Sequence, residues 1–136
     1  MTARATAPAG LGLVYDTGAL IAAERNGRRI WAIHARALWR GVLPLVPAAC
    51  VVEAWRGRRQ DGLTRLLDGC EVEALIPDHA RRAGALLQRG IGSAGAIDAT
   101  VVEVAIRRRA AVVTTDRSDI ERLATSARRK LQIIDL

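Results

Sequence analysis

Residues 11–20 have the sequence LGLVYDTGAL, an apolar run that stops at the carboxylate of Asp16. The valine and tyrosine of this run favour a strand, and Gly18–Arg25 that follows favours a helix. Asp16 is the only charged residue between Arg4 and Glu24. A strand that ends on a lone acid before a helix is typical of the ligand-binding edge of an open α/β sheet.

Strand and helix patterns alternate along the rest of the chain, with a polar break at 57–62. Further strands are predicted at Leu43–Val46, Glu71–Ile76, Ala110–Thr115 and Leu131–Leu136. Further helices are predicted at Ile30–Leu38, Pro47–Trp55, Leu63–Leu67, Ala80–Ile91, Ile97–Ala105 and from Ser118, which forms a capping-box pattern with Glu121. This alternation predicts a layered α/β fold with a mainly parallel sheet.

Length and composition favour one globular domain. The chain has 136 residues, of which 50% are apolar and 26% are charged. These values exclude a disordered tail, a coiled coil and a membrane-spanning protein, because no uncharged apolar run approaches the ~18–20 residues of a membrane helix. We expect residues 1–9 to be a disordered lead-in and residues 10–136 to be the single domain.

The charge balance points to a polyanionic partner. There are 21 Lys and Arg residues against 14 Asp and Glu residues, a net charge of +7. Such a surface favours nucleic acid through phosphate contacts. A soluble protein with a basic surface, or one that binds an acidic partner, is equally consistent with charge alone.

The two cysteines do not suggest a metal site. Cys50 and Cys70 lack the close Cys or His spacing of a zinc site, and both lie in apolar segments. We expect reduced thiols in a cytoplasmic protein. Residues 1–9 contain one Arg and no apolar core, so they do not resemble a signal peptide.

Three more acids stand alone in apolar segments. Glu53 is the only charge between Arg40 and Arg56, and Asp98 is the only charge between Arg89 and Glu103. Asp116 is the only charge in the strand that leads to Arg117. An unpartnered buried carboxylate costs several kcal/mol, so chance does not explain this placement. Asp16 and Asp116 each close a predicted strand, which puts them at one edge of a parallel sheet, and Asp119 follows three residues after Asp116.

Clustered carboxylates repel one another and therefore take up protons or bind cations. All-oxygen ligands suit Mg²⁺ or Mn²⁺, and such ions can activate water and stabilise the leaving oxygen in phosphodiester cleavage. The alternative is that the acids form separate ion pairs with arginines, or that Asp16 and Asp98 serve as helix caps.

Four segments, in this order, resemble the PIN-domain ribonucleases, specifically the VapC-type toxins of type II toxin–antitoxin pairs. They are VYDTGAL at 14–20, Pro47 followed by Glu53, IDATVV at 97–102 and VVTTDRSD at 112–119. The resemblance covers about residues 11–136. It implies a three-layer α/β/α PIN-like fold and a metal-dependent endoribonuclease.

The resemblance also implies site residues and partners. Asp119 corresponds to an additional acid of some members, and Thr114 to the family's hydroxyl residue. A bound Mg²⁺ or Mn²⁺, a homodimer and neutralisation by a cognate VapB-like antitoxin are implied as well. The four implied catalytic and metal-binding acids are Asp16, Glu53, Asp98 and Asp116. The glycine-rich segment 90–95 and the Trp- and Arg-rich helix at 30–39 depart from the family pattern.

Several basic residues are candidates for RNA contact. Arg56, Arg58 and Arg59 follow Glu53 closely and suit phosphate binding. Arg117 stands beside the acid at 116, where it could balance the acidic site or contact the scissile phosphate. The run at 107–109 is expected to be a solvated helix end.

Other functions remain open at this point. A non-catalytic RNA-binding or signalling α/β module with a degenerate acidic site is the main alternative. A receiver-like module needs a late-strand lysine, but the only lysine is Lys130. A haloacid-dehalogenase phosphatase needs a second Asp two residues after Asp16, where Gly18 stands. Segment 90–95 matches the dinucleotide-binding glycine pattern but does not follow a predicted strand.

Histidine and tryptophan residues are expected to pack rather than react. His34 lies on an apolar helix face and is expected in the core, whereas His79 is expected to be exposed. Trp31 and Trp39 are expected in core or dimer packing rather than base stacking.

Overall fold

A five-stranded parallel sheet forms the centre of the protein. The computed structural model describes residues 11–89 and 94–136. Its strands run in the order β3-β2-β1-β4-β5, and every neighbouring pair is parallel. The strands are β1 (Gly12–Tyr15), β2 (Leu45–Pro47), β3 (Glu71–Glu73), β4 (Ala110–Thr114) and β5 (Ile133–Asp135).

Helices connect and cover these strands. Within the described ranges they are α1 (Thr17–Glu24), α2 (Arg28–Trp39), α3 (Ala48–Ala54), α4 (Asp61–Asp68), α5 (Pro77–Arg89), α6 (Ala96–Arg108) and α7 (Arg117–Ser126). Helix α1 packs against α3 and α4, while α6 packs against α5 and α7. The predicted three-layer α/β/α arrangement with a parallel sheet is therefore confirmed.

The core lies on both faces of the two central strands. Val14 of β1 and Val112 of β4 are fully buried and are register partners. Strands buried on both faces have continuous apolar sequences, which explains why these two were visible as compact runs. Both strands point their carboxyl ends to the same edge of the sheet.

Several predicted boundaries are wrong. Pro47 closes β2 and α3 begins at Ala48, while the last strand covers only Ile133–Asp135. β3 ends at Glu73 rather than at Ile76, because its partner strand β2 ends at Pro47, opposite Glu73. The capping box at Ser118 is also wrong. α7 begins at Arg117, so Ser118 lies inside the first turn. Residues 1–9 and most of the glycine-rich segment lie outside the described residues.

A buried polar pair lies beneath β1. The Tyr15 hydroxyl and His34 Nδ1 are 2.9 Å apart, and His34 is 4% exposed, which confirms its predicted core position. Trp31 packs edge-on against the His34 ring and donates from Nε1 to the Ala23 carbonyl oxygen. Trp39, by contrast, is 89% exposed, so the two tryptophans do not share an environment.

The expectation of a solvated helix end at 107–109 is wrong for Arg107. Its guanidinium donates to the carboxylates of Glu103, at 2.9 Å, and of Glu73. Glu103 is only 4% exposed, and a buried carboxylate needs such a partner. The hydrogen bonds from Arg107 lower the pKa of Glu73, so the network joins α6 to the edge strand β3.

The cysteine side chains and the lengths of the helices can be compared with the predictions. Cys50 and Cys70 are free, and Cys50 is buried. Among the described residues, none of the helices has the length and apolar character to cross a membrane.

Candidate metal site

The first acid, Asp16, directly follows β1 and caps α1. Its Oδ1 accepts a hydrogen bond from the Ala19 amide at 3.2 Å, and the side chain is buried. Short polar side chains at this position satisfy amides at the start of a helix. Asp16 therefore fulfils the capping alternative and still faces the carboxyl edge of the sheet.

A buried hydroxyl joins Asp16 to the neighbouring strand end. Thr114, the last residue of β4, donates from Oγ1 to Asp16 Oδ2. The same Oγ1 accepts a hydrogen bond from the Asp116 amide at 2.8 Å. Thr114 is fully buried, so its hydroxyl fixes both the Asp16 carboxylate and the backbone that carries Asp116.

Three further carboxylates converge beside this pair. Asp98, Asp116 and Asp119 each offer one oxygen, and these oxygens all lie within 4.8 Å of one another. Asp98 lies in the first turn of α6 and accepts from the Gly95 amide at 3.2 Å. Asp119 lies in the first turn of α7 and pairs with Arg122. We call Asp98, Asp116 and Asp119 the acidic cluster.

Glu53 reaches this edge from α3 and is held by a residue that sequence reasoning does not single out. Thr17 Oγ1 donates to Glu53 Oε1 at 2.6 Å. Thr17 opens α1 immediately after Asp16, but its partner is 36 positions away, so only the fold reveals the contact. Burial raises the pKa of the Cys50 thiol, on the same helix as Glu53, to about 12. That thiol stays protonated and is a poor metal ligand.

The pKa shifts of Asp16 and Asp98 reflect the charges of the neighbouring carboxylates. Burial raises the pKa of Asp16, with a further increase from the charge of Asp98, while the hydrogen bond from Thr114 opposes it. Burial also raises the pKa of Asp98, and the charges of Asp119, Asp116 and Glu53 add to it. Both carboxylates therefore respond to a shared excess of negative charge.

The donor set fits a hard divalent cation. Carboxylate oxygens bound to one Mg²⁺ at about 2.1 Å would lie roughly 3–4 Å apart. The oxygens of the acidic cluster all lie within 4.8 Å of one another, close to that spacing. Asp119 is one of the three acids of the acidic cluster. Asp16 and Glu53 lie at its border and are not among the three.

The basic residues predicted to contact RNA fall into two groups, one on an exposed loop and one bound to other parts of the protein. Arg56, Arg58 and Arg59 lie on the exposed loop after α3, where Arg59 pairs with Asp61 at 2.8 Å. The expectation that Arg117 balances the charge of the acidic cluster loses support, because its guanidinium is hydrogen-bonded to other groups. It donates to Asp135, to Glu121 and to the Ile133 carbonyl oxygen.

Comparisons with known proteins find a likeness in structure only. Neither the protein-family models nor the curated proteins give a match. The VapBC2 structure of Rickettsia felis, bound to a promoter DNA fragment, has a TM-score of 0.67 at 15% identity, over 92% of this chain and 98% of that one. A toxin–antitoxin complex of Klebsiella pneumoniae has a TM-score of 0.58 at 23% identity, over 79% and 88%. A protein of Pyrobaculum aerophilum has a TM-score of 0.54 at 21% identity, over 90% and 83%.

The parallel sheet and the acids at its carboxyl edge define a class of small α/β/α proteins with acids after the central strands. Within that class the chain has the PIN-like fold of the VapC-type toxins, which the structural neighbours share. The resemblance inferred from the sequence motifs is therefore confirmed at the level of the fold.

Proposed function

We propose that the chain is a metal-dependent endoribonuclease toxin, a hydrolase that cleaves RNA phosphodiester bonds. The acidic cluster carries this proposal, because three carboxylate oxygens within 4.8 Å of one another form the ligand set that Mg²⁺ or Mn²⁺ prefers. Residues 10–136 would constitute the single nuclease domain.

The residues of the site would have different roles in holding the cation and in orienting the acids. Asp98, Asp116 and Asp119 would hold the cation, with Asp16 and Glu53 at its border as the further acids of the site. Thr114 orients Asp16, and Thr17 orients Glu53. A bound divalent cation supplies Lewis-acid chemistry and charge neutralisation for phosphodiester hydrolysis.

The basic surface would guide RNA to this acidic edge. The net charge of +7 favours polyanions, and Arg56, Arg58 and Arg59 follow the helix that carries Glu53. Phosphate contacts of this kind position a nucleic acid without reading its sequence. Arg117 contributes less in this proposal, because its hydrogen bonds hold β5 to α7.

A toxin of this class would work with a regulator. The neighbour from Klebsiella pneumoniae is described as a toxin–antitoxin complex, and the Rickettsia felis structure contains VapBC2. By this likeness we propose that a cognate VapB-like antitoxin neutralises the chain, and that the chain acts as a cytoplasmic homodimer. A small reading frame for a DNA-binding protein next to the gene would support the pairing.

The decisive experiment combines binding and cleavage. The Asp98→Asn variant is expected to lose both Mn²⁺-dependent RNA cleavage and the Mn²⁺-induced rise in Tm, while its fold survives. Asp78→Asn is the matched control, because Asp78 is an exposed first-turn acid of another helix that pairs only with Arg81 among its described acid–base contacts. It is expected to behave like the wild type.

Two results would count against this function. Full activity of Asp98→Asn, or cleavage by the wild type that persists in EDTA, would exclude a metal-dependent mechanism at this site. If RNA binds but Mn²⁺ neither stabilises the wild type nor supports cleavage, the chain is a non-catalytic RNA-binding module with a degenerate acidic site.

A further inference from the structure

A basic groove lies at the amino-terminal edge of the sheet, opposite the acids. Two cavities of about 400 Å³ and 670 Å³ share Arg109 and Arg129 in their walls. Leu11 and Ala110 line the smaller cavity, and they stand where β1 and β4 begin. Because the acids follow the other ends of the same strands, the groove and the acidic edge are at opposite ends of the sheet.

The charges of this groove are not compensated. Arg109, Arg129 and Lys130 form no ion pair with any acid of the described ranges 11–89 and 94–136. Glu103, the acid in the wall of the larger cavity, is already paired with Arg107 at 2.9 Å. We define the basic groove by its three unpaired cations, Arg109, Arg129 and Lys130.

The backbone at the basic groove is unusual for arginine. Arg109 at the end of α6 has φ 52°. Glycine or asparagine is the usual residue in this left-handed conformation, because a Cβ is disfavoured there. The arginine that stands in this conformation at the end of α6 lines both cavities with its side chain.

The lining of the smaller cavity combines apolar and cationic side chains. Ala105, Ile106 and Leu131 are its apolar members, and Arg109, Arg129 and Lys130 are its cations. Phosphate groups suit the cations, while ribose and bases suit the apolar side chains. A single inorganic anion would use the cations alone.

We propose that the basic groove binds the phosphodiester backbone of RNA, as a second RNA contact away from the acidic edge. The choice of RNA among polyanions rests on the proposed function. A long RNA would then touch both edges of the sheet, whereas a very short one would reach only one of them.

The test measures binding of a labelled single-stranded oligoribonucleotide to the full chain in EDTA, by fluorescence anisotropy at increasing salt. The variant replaces Arg109, Arg129 and Lys130 with glutamine. Its affinity is expected to fall roughly tenfold or more, and the salt dependence of log K to lose about 2 in slope, since each phosphate contact on a single strand contributes about 0.7.

A matched control removes the same charge elsewhere. It replaces Arg25, Arg28 and Arg36, three exposed arginines around α1 and α2, with glutamine and is expected to bind nearly as the wild type does. Equal losses in both triple variants would show an effect of net charge and overturn the proposal. Unchanged binding of the groove variant would overturn it too.

A single variant separates binding from folding. Arg109→Gly relieves the left-handed backbone, so its Tm is expected to equal or exceed that of the wild type while RNA affinity falls. Competition identifies the ligand: displacement of RNA by inorganic phosphate, or by polyglutamate, at equal charge concentration would overturn the assignment to a polynucleotide.

The two proposals can fail separately. If RNA binds through the basic groove but is never cleaved with Mn²⁺, the nuclease function fails and the groove stands. If RNA is cleaved with Mn²⁺ but the groove variant binds like the wild type, the groove fails and the function stands.

Discussion

The Thr114 hydroxyl donates a hydrogen bond to the buried carboxylate of Asp16 across the β1–β4 strand pair. The same oxygen accepts from the Asp116 amide, so one side chain links the two strand ends that carry acids. This link lowers the pKa of Asp16 against the opposing effect of burial. The hydrogen bond from Thr114 therefore favours the ionised form of Asp16, together with the bonds from the Ala19 and Gly18 amides.

Thr114→Val should reduce cleavage by roughly 10- to 100-fold, the usual cost of losing a residue that orients a metal-site acid. Loss of the hydroxyl raises the pKa of Asp16 further, so the acidic limb of the pH–rate profile should move to higher pH. The free energy of unfolding should fall by about 1.5–3 kcal/mol, because a buried carboxylate loses a donor. Thr114→Ser keeps the donor and should restore the pH profile. An unchanged profile in the valine variant would contradict this role.

Asp98→Asn should stabilise the protein when no divalent cation is present. The pKa of Asp98 is raised by burial and by the nearby acids, so its contribution to stability is lost as the pH rises through that pKa. Removing the charge should raise the Tm at neutral pH by roughly 1–3 °C. The difference from the wild type should shrink as the pH falls towards 4, because Asp98 then becomes neutral. A lower Tm at pH 7 in EDTA would contradict mutual repulsion among the acids.

The acids at strand ends were predictable because each closes a compact apolar run. Asp16 and Asp116 follow the buried strands β1 and β4, and the carboxyl ends of parallel strands share an edge. The contact between Thr17 and Glu53 was not predictable, since it joins two helices through the tertiary fold. The same holds for Arg107, whose partner Glu73 lies on a distant edge strand.

Predictions from neighbouring residues in the sequence were wrong where a side chain has a partner elsewhere in the fold. Arg117 follows Asp116 in sequence, yet its guanidinium turns to Asp135 of β5. Ser118 matches a capping box with the acid three residues later, but α7 begins at Arg117, two residues too early for Ser118 to cap it. Sequence spacing predicts neighbours along the chain, whereas the packing of β5 against α7 decides these two side chains.

Gly18→Ala should destabilise the protein by about 1–3 kcal/mol, the usual cost of overpacking. A Cβ at position 18 would lie 2.1 Å from Thr115 Oγ1 and 3.0 Å from Thr115 Cβ. Thr115 directly precedes Asp116, so the clash should also displace the acidic cluster and weaken Mn²⁺ binding. Denaturant unfolding and Mn²⁺ thermal shifts measure the two effects.

A double-mutant cycle checks the cause of this effect. Thr115→Gly removes the three atoms nearest to the new Cβ, so Gly18→Ala should cost less in that background than in the wild type. Additive losses would mean that Thr115 is not the source of the clash.

The stability of the wild type should fall as the pH drops below about 6.5, the ordinary pKa of histidine, because of His34. Burial lowers the pKa of His34, so the folded state keeps a neutral ring that the unfolded chain protonates first. A group with a lowered folded pKa stabilises the fold above its ordinary pKa, and that stability is lost on acidification, by at most about 1.4 kcal/mol per pH unit. The neutral ring also preserves the 2.9 Å contact with the Tyr15 hydroxyl.

The His34→Gln variant isolates this contribution from the opposite effect of the acidic cluster. Unfolding measured from pH 7.5 to 5 should show a shallower loss of stability in His34→Gln than in the wild type, although the variant is less stable at pH 7.5. His79→Gln removes the other histidine and leaves the Tyr15 contact intact, so it serves as the control. Parallel curves for the wild type and His34→Gln would mean that His34 does not titrate differently in the folded and unfolded states, and that the neutral ring beneath β1 is not what acid disrupts.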